Sequence, residues 1–412
     1  MTLVFTMLSA SVDGYVSGRG ARAGHGLGDG FRIFDWLNDP GSPNRAVIEY
    51  DSVRTGAVVS GRNTYEHADR WGGGSMQPGA PLFVISRDPI PDAAQGQTVV
   101  TDGLASAIRK ATAVASEAGR DVKVAAGATT TEALRLGLLD EIVIDLVPVL
   151  LGGGIPFFRG LPDAIELECT SVAANPGGHA PDLPRRQVTS PSDGGLGRTE
   201  RIMTMRLTTT TNVSVDGVMQ GLGGPDEDRS EGFDRGGWAI PLVDAAAEEY
   251  LNRVYGSATA FLFGRRTYEI FAGSWGAVAD PRANPVADAL NNRPKYVASA
   301  SLTDPGWAGT TVLRDDVAAA VRDLKERRDG DLLVPGSGRL VRWLLACGLV
   351  DQIDLLTYPV VIGQGTRLFP ASGPDIALEL ISSRTTSRGI TIQTYMPAGR
   401  PQYATGSVED WE

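Results

Sequence analysis

"FLFGRRTYEIF" occupies Phe261–Phe271, and "VVSGRNTYEHA" occupies Val58–Ala68. Each reads as a short apolar run, a Gly-Arg turn and a Thr-Tyr-Glu helix start. Apolar runs of this length, closed by glycine, are the pattern of a buried strand handing over to a helix. The two stretches lie 203 residues apart, and so do "SVDGYVSGRG" (Ser11–Gly20) and "SVDGVMQGLG" (Ser214–Gly223). A third pair, "GLLDEIVIDLVPVLLGGGIPFF" from Gly137 and "GLVDQIDLLTYPVVIGQGTRLF" from Gly348, is offset by 211. Three ordered matches at a domain-length period mean a duplicated domain, not a solenoid.

The length of 412 residues suits two such units. We expect a first domain over residues 1–180, a linker over 181–200, a second domain over 201–404 and a tail over 405–412. The join, "GGHAPDLPRRQVTSPSDGGLGRTER" (Gly177–Arg201), is rich in Gly, Pro, Ser and Arg and poor in apolar residues. An apolar content of 42% with 21% charged residues is that of a globular protein. A net charge of −11 argues against a broad nucleic-acid surface. Cys169 and Cys347 are far apart in apolar contexts, which suggests neither a disulfide scaffold nor a metal cluster and fits a reducing cytoplasm. The start, "MTLVFTMLSASVDG", lacks a basic leader and reads as a buried strand; no apolar run is long enough to span a bilayer.

Within the second copy, "IMTMRLTTTTNVS", "ATAFLFG", "KYVASAS", "GTTVLR", "DLLVPG" and "DQIDLLTYPVVIG" read as strands. The segments "PLVDAAAEEYLNRVYG", "DVAAAVRDLKERRDG" and "GRLVRWLLACG" carry helical periodicity. Alternation of this kind predicts an α/β fold with a mostly parallel central sheet flanked by helices. "IALELISSRTT" and "GITIQTYMP" alternate with period 2 about a polar turn, which predicts a closing antiparallel hairpin.

Two turns suit a phosphate. In "FLFGRRTYE" the strand ends at Gly264, the Thr267 hydroxyl is placed to cap a helix, and Arg265 and Arg266 stand beside a helix N-terminus. In "LLVPGSGRLVRWLL" a strand runs through Gly336-Ser337-Gly338 straight into a helix, and two glycines let a backbone approach a pyrophosphate without a Cβ in the way. A Gly-rich strand-to-helix turn also serves plain packing; it is the pairing of two such turns at the carboxyl ends of strands that points to a nucleotide.

At these residues the second copy, over Arg201–Tyr403, resembles the dihydrofolate reductase-like superfamily. It is similar to the branch containing the reductase domain of the riboflavin-pathway deaminase–reductase. "NVSVDGVMQ", "GGPDED", "GGWAIP", "FLFGRRTYEIF", "KYVAS", "PGSGRLVRWLLACGLVDQIDLLTYPVVIGQGTRLF" and "AGRPQY" come in that family's order. The first copy resembles a sister branch through "SASVDGYVSG", "GLGDG", "VVSGRNTYE", "VTDGLASAI" and "LVPVLLGGGIPFF". The resemblance implies two dihydrofolate reductase-like domains and an NADPH-dependent reductase. It places Gly264, Arg265, Arg266 and Thr267 along the cofactor phosphates and Ser299 at the adenosine 2′-phosphate. Gly336, Ser337, Gly338, Arg339 and Leu340 would form the pyrophosphate turn. Val215, Asp216 and Gly217 would lie near nicotinamide and substrate, with Asp216 the one candidate catalytic group, and Val361, Ile362 and Gly363 would pass the cofactor with their backbone. In such enzymes the protein holds donor and acceptor face to face while the cofactor carries the chemistry.

The first copy departs from this pattern. Its turn reads "VKVAAGATTTEALRLG", either one residue shorter or with Ala125-Ala126 in place of glycines, and "HAPDLPRRQV" has two prolines where a ladder strand belongs. Asp13, Gly14, Gly61, Arg62, Thr64, Ser86, Arg87, Gly127 and Ala128 are its corresponding candidates. Plainer readings stand beside these. Asp216-Gly217 is also a common turn dipeptide, Trp238 lines either a pocket or the core, and Glu66 and Glu269 support helix starts. His25, His67 and His179 have no metal spacing, and "LTTTTNVS" is simply β-branched strand.

Two functions compete: NADPH-dependent reduction of a small polar heterocycle, imine or carbonyl (pterin-like or ribosylamino-pyrimidine-like), and a nucleotide-binding pseudoenzyme with a structural or regulatory role. No His/Cys zinc signature of a deaminase accompanies the copies, which argues against the riboflavin-pathway substrate. For folate, a helix carboxylate would bind the pterin; Asp244, Glu248 and Glu249 are in such a helix and none is singled out. Family relatives pair as dimers, so the fused copies are expected to form an intramolecular pseudo-dimer acting on a small molecule, with no nucleic acid, membrane or metal.

Overall fold

The computed structural model of the chain describes residues 2–37, 45–161, 164–171, 205–327, 329–370, 373 and 375–402. The expected linker and tail, His179 and the proline-rich "HAPDLPRRQV" lie outside the described residues. The first copy runs β1 (Val4–Ser11), β2 (Tyr15–Ser17), α1 (Arg45–Arg54), β3 (Thr55–Gly61), α2 (Arg62–His67), β4 (Leu82–Ile85) and β5 (Gln97–Val100). It continues with α3 (Leu104–Glu117), β6 (Asp121–Val124), α4 (Ala128–Arg135), β7 (Glu141–Val147), β8 (Val149–Leu150), β9 (Ile155–Pro156) and β10 (Ile165–Glu166). The second copy runs β11 (Arg206–Ser214), α5 (Ala245–Ser257), β12 (Ala258–Gly264), α6 (Arg265–Ser274), α7 (Pro285–Asn292), β13 (Lys295–Ala298) and β14 (Thr310–Leu313). Then follow α8 (Val317–Arg327), β15 (Asp331–Pro335), α9 (Gly338–Ala346), β16 (Gln352–Tyr358), β17 (Val360–Val361), β18 (Ile376–Thr385) and β19 (Thr391–Pro397).

Both copies build the same parallel sheet. Its order is β5-β4-β3-β6-β1-β7 in the first and β14-β13-β12-β15-β11-β16 in the second, where β19 and β18 add the antiparallel hairpin. The central strands are buried because crossover helices cover both faces, and so β12 reads "ATAFLFG" with no polar alternation. The Asp244 carboxylate caps α5 by accepting the Ala247 amide at 3.0 Å, and Asp316 does the same for α8 through Ala319 at 2.9 Å. The expected cap at Thr267 is corrected: α6 begins two residues earlier, at Arg265, with Gly264 in the extended N-cap conformation, so Thr267 lies inside the first turn. No described helix is long and apolar enough to cross a membrane.

The first-copy turn is one residue shorter. Val4 pairs with Val122, and the corresponding Leu207 pairs with Leu332, an offset of 210 along the strand. Beyond the turn, Gly137 and Gly348 are 211 apart. One residue is therefore lost between the strand and the helix.

The copies are joined by two short antiparallel ladders. Ile165 of β10 pairs with Val361 of β17, and Glu166 with Val360. Ile376 of β18 pairs with Leu150 of β8, and Ala377 with Val149. Each partner of one ladder is 211 residues from its counterpart in the other. Two flanking bonds repeat the relation, Leu167 N to Pro359 O at 3.1 Å and Leu378 N to Pro148 O at 3.3 Å. The two ladders are thus reciprocal, with residue i meeting j in one and the counterpart of j meeting the counterpart of i in the other. The cores interlock accordingly. Leu150 is buried among second-copy residues such as Leu207, Val213 and Ile376, whereas Val361 is buried among Leu8, Ala10, Phe157 and Phe158 of the first.

Candidate functional site

β12 and β15 are parallel neighbours, with Phe261 opposite Leu333, so their carboxyl ends deliver Gly264 and Gly336 side by side. Neither α6 nor α9 carries a side-chain cap, so the first-turn amides of both helices face one crevice without that partner. Gly336 has φ +62° and Ser337 φ +58°, ψ +54°. A left-handed serine costs about 1–2 kcal/mol. Its hydroxyl offsets part of this by accepting the Gly264 amide at 3.1 Å, which ties the two turns together.

The basic residues are already engaged. Arg265 reaches Glu269 at 2.7 Å and the Ser301 hydroxyl at 2.6 Å. Arg266 pairs with Asp228 from the "GGPDED" loop. Both guanidinium groups stay about half exposed, so a stronger anion can compete for them. Ser299 is buried and its hydroxyl accepts the amides of Ser301 and Leu302 at 3.2 and 3.0 Å; the hydroxyl presented beside Arg265 is that of Ser301. Arg339 is exposed and Leu340 buried on α9. Met219 stands over the glycine turn: a Cβ added to Gly338 would meet its Sδ at 2.7 Å, and one on Gly336 its Cε at 3.7 Å and Thr267 Cγ2 at 3.9 Å.

Asp216 is almost fully buried, and four donors surround its carboxylate: the Ser214 hydroxyl at 2.7 Å, the Ile362 and Gly363 amides at 2.9 Å each, and Arg367 at 3.3 Å. Enclosed in this way it holds the 361–363 loop through the Ile362 and Gly363 amides. Asp13 repeats the device, accepting Leu151 N at 3.1 Å and Gly152 N at 2.7 Å. Burial pushes the Asp13 carboxyl above its ordinary value, against the hydrogen bonds that pull it down. Gly217 and Gly14 follow with φ +79° and +80°, so the turn reading of Asp-Gly and the loop-holding reading are the same structure. Val215 packs against the first copy's cluster. Trp238 is core: its Nε1 donates to Gln220 O at 2.8 Å and its ring meets Tyr358 edge-on at 5.5 Å.

In the corresponding first-copy crevice the polar groups bond to one another. The Thr64 hydroxyl donates to Ala126 O at 3.3 Å, Arg62 donates to Ser86 at 3.2 Å, and Arg87 is exposed. Gly127 takes φ +109° ahead of Ala128, and a Cβ on Gly61 would meet Thr129 Oγ1 at 2.5 Å. On the sheet face under α1, Lys123 pairs with Asp51 close to Asp145, whereas the second copy places Val254, Leu333 and Leu356 at the aligned positions.

Asp244 belongs to the scaffold: besides capping α5 it accepts Ser387 Oγ at 2.7 Å and Arg388 N at 3.0 Å. Burial raises its carboxyl, and these hydrogen bonds outweigh that and hold it well below the usual range. His25 meets Arg22 at 2.8 Å and His67 ends α2. Among the described residues no group of three or more His, Cys, Asp or Glu is placed to hold a metal. Met219, Asp228, Ser301 and Arg367 were not singled out from sequence. Only the "GGPDED" acidic loop offered a signal, since an anion opposite a basic turn invites pairing.

A family model described as "RibD C-terminal domain" matches residues 2–179 and 206–392. The uncharacterized Bacillus subtilis (strain 168) protein YyaP is 24% identical over 202 residues, covering 48% of this chain and 97% of YyaP. A putative riboflavin biosynthesis protein of Shewanella sp. PV-4 is 17% identical with a TM-score of 0.35, covering 47% of this chain and 99% of that one. Dihydrofolate reductase from Enterococcus faecalis, complexed with NADP(H) and RAB-propyl, is 14% identical with a TM-score of 0.32, covering 47% of this chain and 96% of that one.

Proposed function

We propose that this chain, which belongs to the RibD C-terminal domain family through both of its halves, is an NADPH-dependent reductase whose working site is the crevice of the second copy. The observation that carries this reading is the pair of adjacent, uncapped helix starts at Gly264–Arg265 and Ser337–Gly338. Amides of two helices and two arginines converging on one crevice are a strong anion site, and a dinucleotide bridge is a matching ligand. The crevice fits that group because Gly336 and Gly338 keep Cβ atoms out of it, although Met219, which lies nearest Gly338, must swing aside. Arg265, Arg266, Thr267 and Ser301 would take the phosphates, Gly336–Leu340 the bridge, and Ser299 would support the 2′-phosphate end through the turn it braces. NADPH, when bound, supplies the hydride. The chain's own part is to orient the acceptor and exclude water, with Asp216 holding Val361–Gly363 and the Val215–Gly217 turn in register. The acceptor is a small polar heterocycle, imine or carbonyl, pterin-like or ribosylamino-pyrimidine-like.

In this reading the domains are residues 1–180 and 201–404, the reciprocal ladders support an intramolecular pseudo-dimer, and the protein works in the cytoplasm. The shorter first-copy turn and the Thr64–Ala126 bond across it support a weakened or absent cofactor site there, for which Asp13, Gly14, Gly61, Arg62, Thr64, Ser86, Arg87, Gly127 and Ala128 are the candidates. The second reading, a nucleotide-binding pseudoenzyme, would use the same anion crevice, and Met219 must move aside for a nucleotide in either case.

Titration of the full chain by reduced-nicotinamide fluorescence separates the readings, followed by absorbance assays with a panel of pterins, flavins and imines. Saturable NADPH binding that weakens about tenfold in Arg265→Ala, or about 1.4 kcal/mol, is the expected result. No binding of NADPH or NADH at millimolar concentration rules the reductase out.

A further inference from the structure

We infer that the first copy is a positioning subunit for the second: it holds the Val361–Gly363 loop in trans, so that cofactor affinity at the second site is set partly by Leu161, Ile165 and Leu167. This rests on the reading of that loop as part of an NADPH site. The loop is gripped from two sides. From its own copy, the Asp216 carboxylate binds the Ile362 and Gly363 amides at 2.9 Å. From the other copy, Ile165 pairs across from Val361, and the Leu167 amide donates to Pro359 O at 3.1 Å, just before the loop. Directly opposed residues of an antiparallel pair have Cβ atoms about 5 Å apart, so Ile165 and Val361 touch.

Burial points the same way. Val361 is fully buried, and it is buried in the first copy's cluster with Leu8, Ala10, Phe158 and Leu161 rather than in its own domain's core. Gly363 then runs over Leu161: a Cβ on it, at φ +73°, would lie 2.9 Å from Leu161 O and 3.0 Å from Leu161 Cβ. The backbone here approaches the other copy as closely as a glycine permits. Without the first copy the loop would keep its Asp216 bonds and lose both its strand partner and the apolar bed beneath it. The duplication thus provides in one chain, with no association step, what a two-fold dimer would provide by encounter.

The mirror ladder does not duplicate this service. Ile376 and Leu378 hold β8, whose following residues Leu151 and Gly152 are clamped by Asp13, but that loop belongs to the first copy, whose glycine turn is one residue shorter. The first copy therefore retains the interface half of its ancestry, and the second retains both halves.

The test uses the full chain with Ile165→Ala, and with Leu167→Pro as a second variant that deletes the ladder donor. Hydrogen exchange of the Ile362 and Gly363 amides and NADPH affinity by fluorescence are both measured. The expected result is about tenfold faster exchange at these two amides, although Asp216 is untouched, with NADPH binding about fivefold weaker at unchanged stoichiometry. Unchanged exchange in both variants overturns the trans support. Faster exchange with unchanged affinity overturns its link to the site. A merely structural role would lower the melting temperature and leave the affinity of the folded protein alone. If the parent chain binds no NADPH, the reductase reading falls by itself, and the exchange data still decide whether the loop is held in trans.

Discussion

The Met219 sulfur lies 2.7 Å from the point where a side chain on Gly338 would begin, closer than any real Cβ would be tolerated. The thioether thus occupies the space above the turn through which a dinucleotide bridge would pass. Methionine has three flexible torsions, so it can vacate the crevice at modest cost, but it competes until it does. Met219→Ala is expected to tighten NADPH binding about threefold to tenfold, while lowering stability by roughly 1–2 kcal/mol through lost packing. Fluorescence titration beside thermal melting checks both. Weaker binding in the variant would mean that Met219 supports the cofactor instead of competing with it.

Gly264 and Gly61 occupy aligned turns but face different neighbours. A Cβ at Gly264 would rest in ordinary contact 3.6 Å from Ser337 Oγ, whereas one at Gly61 would strike Thr129 Oγ1 at 2.5 Å. Both have ordinary backbone angles, with φ near −77°. Gly264→Ala is therefore expected to keep or slightly raise the melting temperature yet weaken NADPH binding severalfold, because only the ligand needs that space. Gly61→Ala is expected to cost about 1 kcal/mol of stability, since Thr129 must turn away. Equal stability losses in the two variants would refute the asymmetry.

Asp216→Asn removes one of the carboxylate oxygens that accept the Ile362 and Gly363 amides. A buried amide left without its acceptor costs about 1–3 kcal/mol. If Asp216 acts by positioning the loop, the expected outcome is a lower melting temperature and weaker NADPH binding with no new pH dependence. A pH–rate profile that loses a limb in the variant would restore the catalytic role.

Asp145 is the clearest pH lever. Burial raises its carboxyl from 3.8 to about 6, with Lys123 pulling it down and Asp51 pushing it up. A carboxyl with a raised folded pKa binds a proton more readily folded than unfolded, so its favourable contribution is present at about pH 4 and lost as pH rises through 6. Asp145→Asn is expected to stabilise the chain by roughly 1–2 kcal/mol above pH 6.5, with the gain vanishing near pH 4. Denaturant melts across that range check it; a gain independent of pH would mean that the charge is not the cause.

Much of this protein was legible in its residues. The duplication, the alternation of strands and helices, the hairpin at Ile376–Pro397 and the two glycine turns all follow from local codes: apolar runs, caps and glycines that act within a few positions of themselves. Even the Asp-Gly repeat was visible, though not its purpose. What only the tertiary structure decided are contacts between distant residues. The Asp216 carboxylate meets amides 146 and 147 residues away, Met219 covers Gly338, and β10 pairs with β17 of the other copy. Main-chain amides and carbonyls are the same at every residue except proline, which lacks the N–H, so a bond made by backbone leaves almost no trace in side-chain identity. Which amide a carboxylate or a strand edge finds is settled when the two sheets come together.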